Sequence, residues 1–184
     1  MTEFDRTSCR CLIHQGKRTD EDVGRVADRI RSLRWTFVDH GDHDLLDWCY
    51  EGPAWSCTVG LGHNFGFPEL LICGLPRGER RYILKQAVPP LDHDLLGVGT
   101  VDHELTSLKL KVVRVHASWH GTELLSTACA FYEGRLPEYR QLIWADADGR
   151  FPGDDGFDEA LKELQPNLDI PRRRHPKCVW TTLS

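Results

Sequence analysis

The sequence predicts a single α+β domain: a mainly antiparallel or mixed β-sheet, open or barrel-like, flanked by helices. Three observations predict it. Short β-prone apolar runs are interspersed with stretches of helical periodicity. Two of those runs, Trp55–Leu61 and Glu69–Leu75, stand on either side of a crossing punctuated by glycine and proline, Gly62 to Pro68. Finally, 184 residues suit one core; a chain of this size buries roughly 70% of its unfolded surface and needs neither metal nor disulfide to do so.

The totals exclude some classes. Lys+Arg 23 against Asp+Glu 28 gives a net charge of −5, whereas a domain-wide nucleic-acid footprint would be basic. No apolar run approaches the length of a membrane-spanning helix. The start, Met1 to Arg6, has no apolar stretch of the kind a secretory signal carries. A cytoplasmic location is therefore expected, with no membrane partner. The 7 cysteines are expected to stay reduced there. Cys57 and Cys73 sit inside the apolar runs, as small hydrophobes.

The elements follow in order. Residues 1–18 read as a flexible N-terminal segment with a cysteine pair, residues 19–165 as the domain, and residues 166–184 as a basic, mobile tail. Thr19 caps a helix over 20–33, with Asp20, Glu21 and Asp22 in its first turn, where the positive end of the helix dipole favours acids. Val23, Val26, Ile30 and Leu33 give it an apolar stripe. Trp35–Val38 reads as the first strand, and Asp39–Pro53 as a polar loop. After the two central runs, Pro76 starts a helix that continues to Val88 and is stopped by Pro89 and Pro90. Leu105–Ala117 is the longest strand candidate. Its apolar parity switches from Leu108, Leu110 and Val112 to Val113, Val115 and Ala117, which needs a bulge or a strand covered on both faces. Glu123–Tyr132 reads as a short helix, Tyr139–Trp144 as a last strand, Ala145–Gly156 as an acidic loop, and Phe157–Leu164 as a short helix ended by Pro166.

Three blocks carry a family resemblance. They are Cys9-Arg-Cys11 before a capped helix ending at Trp35, Trp55-Ser-Cys-Thr-Val-Gly-Leu61 leading through Phe65-Gly-Phe-Pro-Glu-Leu70 to Leu75, and Gln141-Leu-Ile-Trp144 running into Asp146-Ala-Asp-Gly-Arg-Phe-Pro152. Together they resemble the bacterial domain-of-unknown-function family numbered 4262, over most of residues 9–152. The resemblance implies a shared fold and a shared site position, not a reaction. It makes Gly66, Pro68, Glu69, Asp146 and Gly149 motif positions. Relatives that begin with Cys-x-x-Cys differ here from Cys9-x-Cys11, which weakens any metal site inherited from them.

The crossing from Gly60 to Glu69 is the leading site candidate. Its glycines let backbone approach a ligand closely. Glu69 and His63 are the candidate catalytic acid/base residues. A hairpin turn with Glu69 bonded to loop amides is the plainer reading. Trp55, Gly66, Glu69, Trp144 and Asp146 are the expected binding residues, with Phe65 and Phe67 as further apolar wall.

Cys9-x-Cys11-x2-His14 carries zinc-type ligands, but the cysteine spacing is tighter than usual and a fourth donor is needed. Cys49, His40, His43 or Cys178 would supply it only if the fold allowed; an unbound pair is the alternative, and a redox pair a third. His116-x3-His120 shares one face of a helix or a strand, yet the metalloprotease motif needs a Glu where Ala117 stands. His40/His43 and Asp92-His93-Asp94 read as solvated loop clusters. Asp146, Asp148, Asp154, Asp155 and Asp158 do not meet the EF-hand spacing. Arg172 to Lys177 reads as a solubilising stretch or a weak phosphate contact.

Three functions are expected from this reading. The first is a binding module for a small molecule or peptide at Gly60–Glu69. The second is an enzyme using Glu69 or His63 as acid/base, with or without a Cys/His-bound metal such as zinc. The third is an immunity or accessory protein acting through a protein partner.

Overall fold

A computed structural model describes Cys9 and residues 11–15, 21–41, 53–88, 103–104 and 108–183. Its helices are α1 (Leu12–Gln15), α2 (Glu21–Leu33), α3 (Leu61–Phe65), α4 (Arg77–Ala87), α5 (Ser126–Phe131) and α6 (Val179–Thr182). Its strands are β1 (Thr36–His40), β2 (Trp55–Val59), β3 (Glu69–Cys73), β4 (His103–Glu104), β5 (Lys109–Arg114) and β6 (Tyr139–Trp144).

The strands form one mixed sheet in the order β1-β2-β3-β6-β5-β4. The β1/β2, β2/β3, β6/β5 and β5/β4 pairs are antiparallel, and only the central β3/β6 pair is parallel, with Leu71 opposite Gln141. This is the expected α+β class. The barrel-like option is corrected: β1 and β4 stand at opposite edges, and β4 is two residues long.

Side chains alternate across this sheet. Trp55, Cys57, Val59, Leu71 and Cys73 face one core, shared with Val26 and Ile30 of α2, Ala128 and Phe131 of α5, and Trp180 of α6. Leu70, Ile72, Leu110, Val112, Leu142 and Trp144 face the other, under Ile83, Leu84 and Ala87 of α4. Every residue of β2 and β3 is buried. A strand covered on both faces loses its polar alternation, which is why both central runs read as continuous apolar segments. The parity switch in the β5 region has a related cause: one face is buried, the other is covered in part at Val113, and Ala117 lies exposed beyond the strand in a 3₁₀ turn. Val113 packs against Ile143, Ala145 and Phe151 in a third small cluster, while Leu110 and Val112 face α4.

Several elements differ from expectation. The crossing contains a one-turn helix, α3, between Gly60 and Gly66. The 123–132 helix begins as a 3₁₀ turn, Glu123–Leu125. In place of a helix over 157–164 there is a 3₁₀ turn, Glu159–Leu161, in which Asp158 caps the Ala160 amide at 3.0 Å. His40 lies in β1, its ring stacked on Trp55 at 4.0 Å. Thr19, His43, Cys49 and Asp92–Asp94 lie outside the described residues.

Described residues near each end of the chain pack into the core. Cys11 and Leu12 pack in the α2/α5 cluster, as do Leu168, Trp180 and Leu183. The supposed tail is held by the Gln141 amide, which donates to Pro166 O at 2.6 Å and accepts from Leu168 N at 3.0 Å. Trp180 Nε1 donates to Glu163 O at 2.8 Å. The basic run therefore belongs to a packed segment, because the aromatic and aliphatic residues around it have a core surface to cover. Among the described residues, no helix is long and apolar enough to cross a membrane.

Candidate metal centre

The site is built where the crossing meets the N-terminal segment. Gly60 leaves β2 with φ 112°. A Cβ there would lie 2.9 Å from Arg34 O and 3.0 Å from Trp35 Cα, so only glycine fits on both conformational and steric grounds. The Asn64 amide closes the α3 turn on Gly60 O at 2.9 Å. The Asn64 side chain donates to Arg34 O, tying α3 to the end of α2. Gly66 ends α3 in the left-handed conformation.

Glu69 organises this turn from within. It is 0% exposed. Its Oε1 accepts from Gly60 N at 2.7 Å and Gly62 N at 3.1 Å, and Oε2 accepts from Thr58 Oγ1 at 2.7 Å. The Tyr132 hydroxyl, at the end of α5, also donates to Oε1. Burial pushes the Glu69 carboxyl upward, and the donors from Tyr132, Thr58, Gly62 and Gly60 pull the other way. Burial, with Glu69 adjacent, raises the Tyr132 phenol far above its usual range, so it stays a donor. Glu69 is thus bonded to amides of the crossing, the arrangement that the plainer of its two sequence readings describes.

What the turn presents is His63. Its residue is 8% exposed, and Cys11 beside it is 0% exposed. Cys11 Sγ lies 3.0 Å from His63 Nδ1, Cys9 Sγ 3.8 Å from the same nitrogen, and His14 Nδ1 3.7 Å from Cys11 Sγ. The His14 and His63 rings sit 4.6 Å apart. The ligand atoms of Cys9, Cys11, His14 and His63 all lie within 4.8 Å of one another. A tetrahedral zinc, with sulfur at about 2.3 Å and nitrogen at about 2.0 Å, spaces its sulfur and nitrogen donors about 3.5 Å apart. The donor set and its spacing fit that ion. Burial, together with the neighbouring Cys11 sulfur, pushes the Cys9 thiol up to about 11; a bound dication reverses this, because a coordinating thiol gives up its proton.

Among the described residues, the fourth candidate donor beside Cys9, Cys11 and His14 is His63; His40 stacks on Trp55 in β1, and Cys178 sits 3.6 Å from His175 Nδ1. No spacing in the sequence joins His63 to a motif whose other members lie in a different segment. The only signal was an incomplete ligand set at Cys9, Cys11 and His14 beside an unassigned histidine in the crossing. Tyr132 had no signal at all.

Other candidates lie elsewhere. Trp55 is in the α2/α5 core, whereas Phe65, Phe67 and Trp144 belong to the α4 side, so the sheet separates them. The Trp55 indole donates to Leu124 O at 3.0 Å and that of Trp144 to Cys73 O at 2.8 Å. Asp146 accepts from the amides of Asp148 and Arg150 at 2.9 Å each, from Arg150 Nε at 3.0 Å and from the Asp158 amide at 3.2 Å. These donors satisfy its oxygens within its own loop. His116 caps the 3₁₀ turn Ala117–Trp119, two residues past the end of β5.

The model of the family described as Domain of unknown function (DUF4262) matches residues 29–158. The chain belongs to this family. The DUF4262 match contains His63, Glu69, Tyr132 and Asp146, and it begins after Cys9, Cys11 and His14. The candidate centre thus joins one histidine of the DUF4262 region to three donors that precede it. No curated protein and no solved structure matches the chain.

Proposed function

We propose that this protein is a metal-binding domain, with Cys9, Cys11, His14 and His63 as the donors for a zinc-class ion. The convergence of these four side chains within 4.8 Å carries the reading. Two thiolates and two imidazoles are the donors zinc prefers, and two thiolates balance the charge of a dication. Bound there, the ion ties the N-terminal segment to the crossing and contributes folding free energy, as closed four-ligand sites do. Cys11 and Leu12 place the segment by packing against the core. Glu69 holds the Gly60 and Gly62 amides and so fixes the turn that carries His63.

The ligand-binding and acid/base readings of the crossing draw less support. Glu69 is buried with both oxygens engaged, and the aromatics meant to wall a pocket divide between two cores. A protein partner has no observation of its own in its favour.

The test is metal analysis of protein purified without a histidine tag, loaded with zinc and dialysed. The expected result is about one equivalent of zinc per chain, as a single four-ligand site requires, with Cys11→Ser and His63→Ala retaining little of it. A substoichiometric wild type, or a Cys11→Ser variant that binds as well, would overturn the reading.

A further inference from the structure

Two sequence features are left over once the metal centre is built: the basic run Arg172–Lys177 and the histidine at 116. The fold brings them together. The 3₁₀ turn Ala117–Trp119 follows β5, and the segment at Arg172 returns beside it, its amide donating to Ser118 Oγ at 2.8 Å. Between them lies a cavity of about 610 Å³ lined by His116, Ser118, Pro171, Arg172, Arg173 and Thr181. Among the described residues, no carboxylate lines it.

The donors on its wall are organised by the chain itself. Arg172 Nη2 donates to Thr181 O at 2.8 Å and to Leu183 O, which fixes that guanidinium against the C-terminal helix. The Ser118 amide donates to His116 Nδ1 at 3.1 Å, so the proton of a neutral His116 ring sits on Nε2 and is free to donate. Arg173 is exposed. Among the described residues no carboxylate pairs with Arg172, Arg173, Arg174 or Lys177, whereas Arg25, Arg31, Arg81, Arg114, Arg140 and Arg150 all have acid partners. In a chain of net charge −5, two arginines without a carboxylate partner among the described residues, Arg172 and Arg173, stand on the wall of one concavity.

A planar guanidinium matches the oxygens of a phosphate in a two-bond fork. We propose that this cavity binds a phosphate monoester group, with Arg173 and His116 as donors and Arg172 as a fixed charge in the wall. The site is independent of the metal centre.

The experiment titrates zinc-loaded full-length protein with inorganic phosphate and with glycerol phosphate, read by calorimetry and by the His116 imidazole resonance. Saturable one-site binding is expected. Arg173→Glu is expected to weaken it at least about tenfold, or about 1.4 kcal/mol, with an unchanged melting temperature because Arg173 is exposed and has no acid partner among the described residues. Arg173→Lys keeps the charge and loses the fork, and falls between the two. Saturable binding to vesicles carrying a phosphoinositide, without binding of the soluble esters, would assign the phosphate to a lipid headgroup. The proposal is overturned if neither source binds beyond the effect of chloride at equal ionic strength, or if Arg173→Glu binds as tightly as the wild type.

Discussion

Cys11 Sγ and His63 Nδ1 lie 3.0 Å apart across 52 positions of sequence, and around this contact Cys9 and His14 complete a four-donor cluster. If zinc occupies it, removing the ion unlinks the N-terminal segment from the crossing. A chelator should then lower the melting temperature of the wild type, by about 2–4 °C for each kcal/mol of lost binding energy in a chain of this size. His63→Ala should melt at the lower temperature with or without chelator. Thermal scans of both proteins check this, and a chelator-insensitive wild type speaks against the ion's structural role.

Glu69 supports the turn that carries His63. Glu69→Gln keeps its shape but turns an NH2 group toward donors that need an acceptor, here among Gly60, Gly62, Thr58 and Tyr132. An unsatisfied buried group costs about 1–3 kcal/mol. We expect a loss of that order by denaturant unfolding in chelator, and weaker zinc retention when loaded. Tyr132→Phe removes one donor and should cost less. Equal stability of Glu69→Gln and wild type would remove Glu69 from its positioning role.

Asp146 sets a pH dependence. Burial works against its carboxylate, but the Arg150 amide and guanidinium and the Asp158 and Asp148 amides outweigh it and hold its pKa below the usual aspartate value. A carboxyl depressed in the folded state stabilises above its unfolded pKa and loses that contribution as pH falls through its folded pKa. Asp146→Asn should therefore be less stable than the wild type at neutral pH, with the gap closing in the acid range. Unfolding midpoints of the two proteins across that range provide the check, and a gap constant with pH would contradict it.

Trp180 reports on the C-terminal segment. It is 1% exposed, packs 6.0 Å from Trp55 between ring centroids, and donates to Glu163 O. Trp180→Ala should cost about 3–5 kcal/mol, the range for deleting a buried aromatic. An effect below about 0.5 kcal/mol, typical of surface changes, would return residues 166–183 to the status of a loose tail.

The crossing shows how far the sequence reads. Its glycines, Glu69 and the flanking apolar runs were visible as a unit, because turn chemistry and strand burial are local properties. The helices α2 and α4 were legible for the same reason: an apolar stripe and a proline boundary are written in consecutive residues. The short helix expected after Phe157 failed because only one turn forms there, capped by Asp158.

By itself, then, the sequence determined the α+β class, the central pair of strands, the main helices and an incomplete zinc-type ligand set at Cys9, Cys11 and His14. Tertiary structure alone decided that the sheet stays open, that Trp55 and Trp144 face different cores, that the C-terminal segment fills one of those cores, and that His63 completes the cluster. Each of these depends on which side of the sheet a distant segment packs against. Contacts of that kind are set by long-range burial, which no spacing within a single segment encodes.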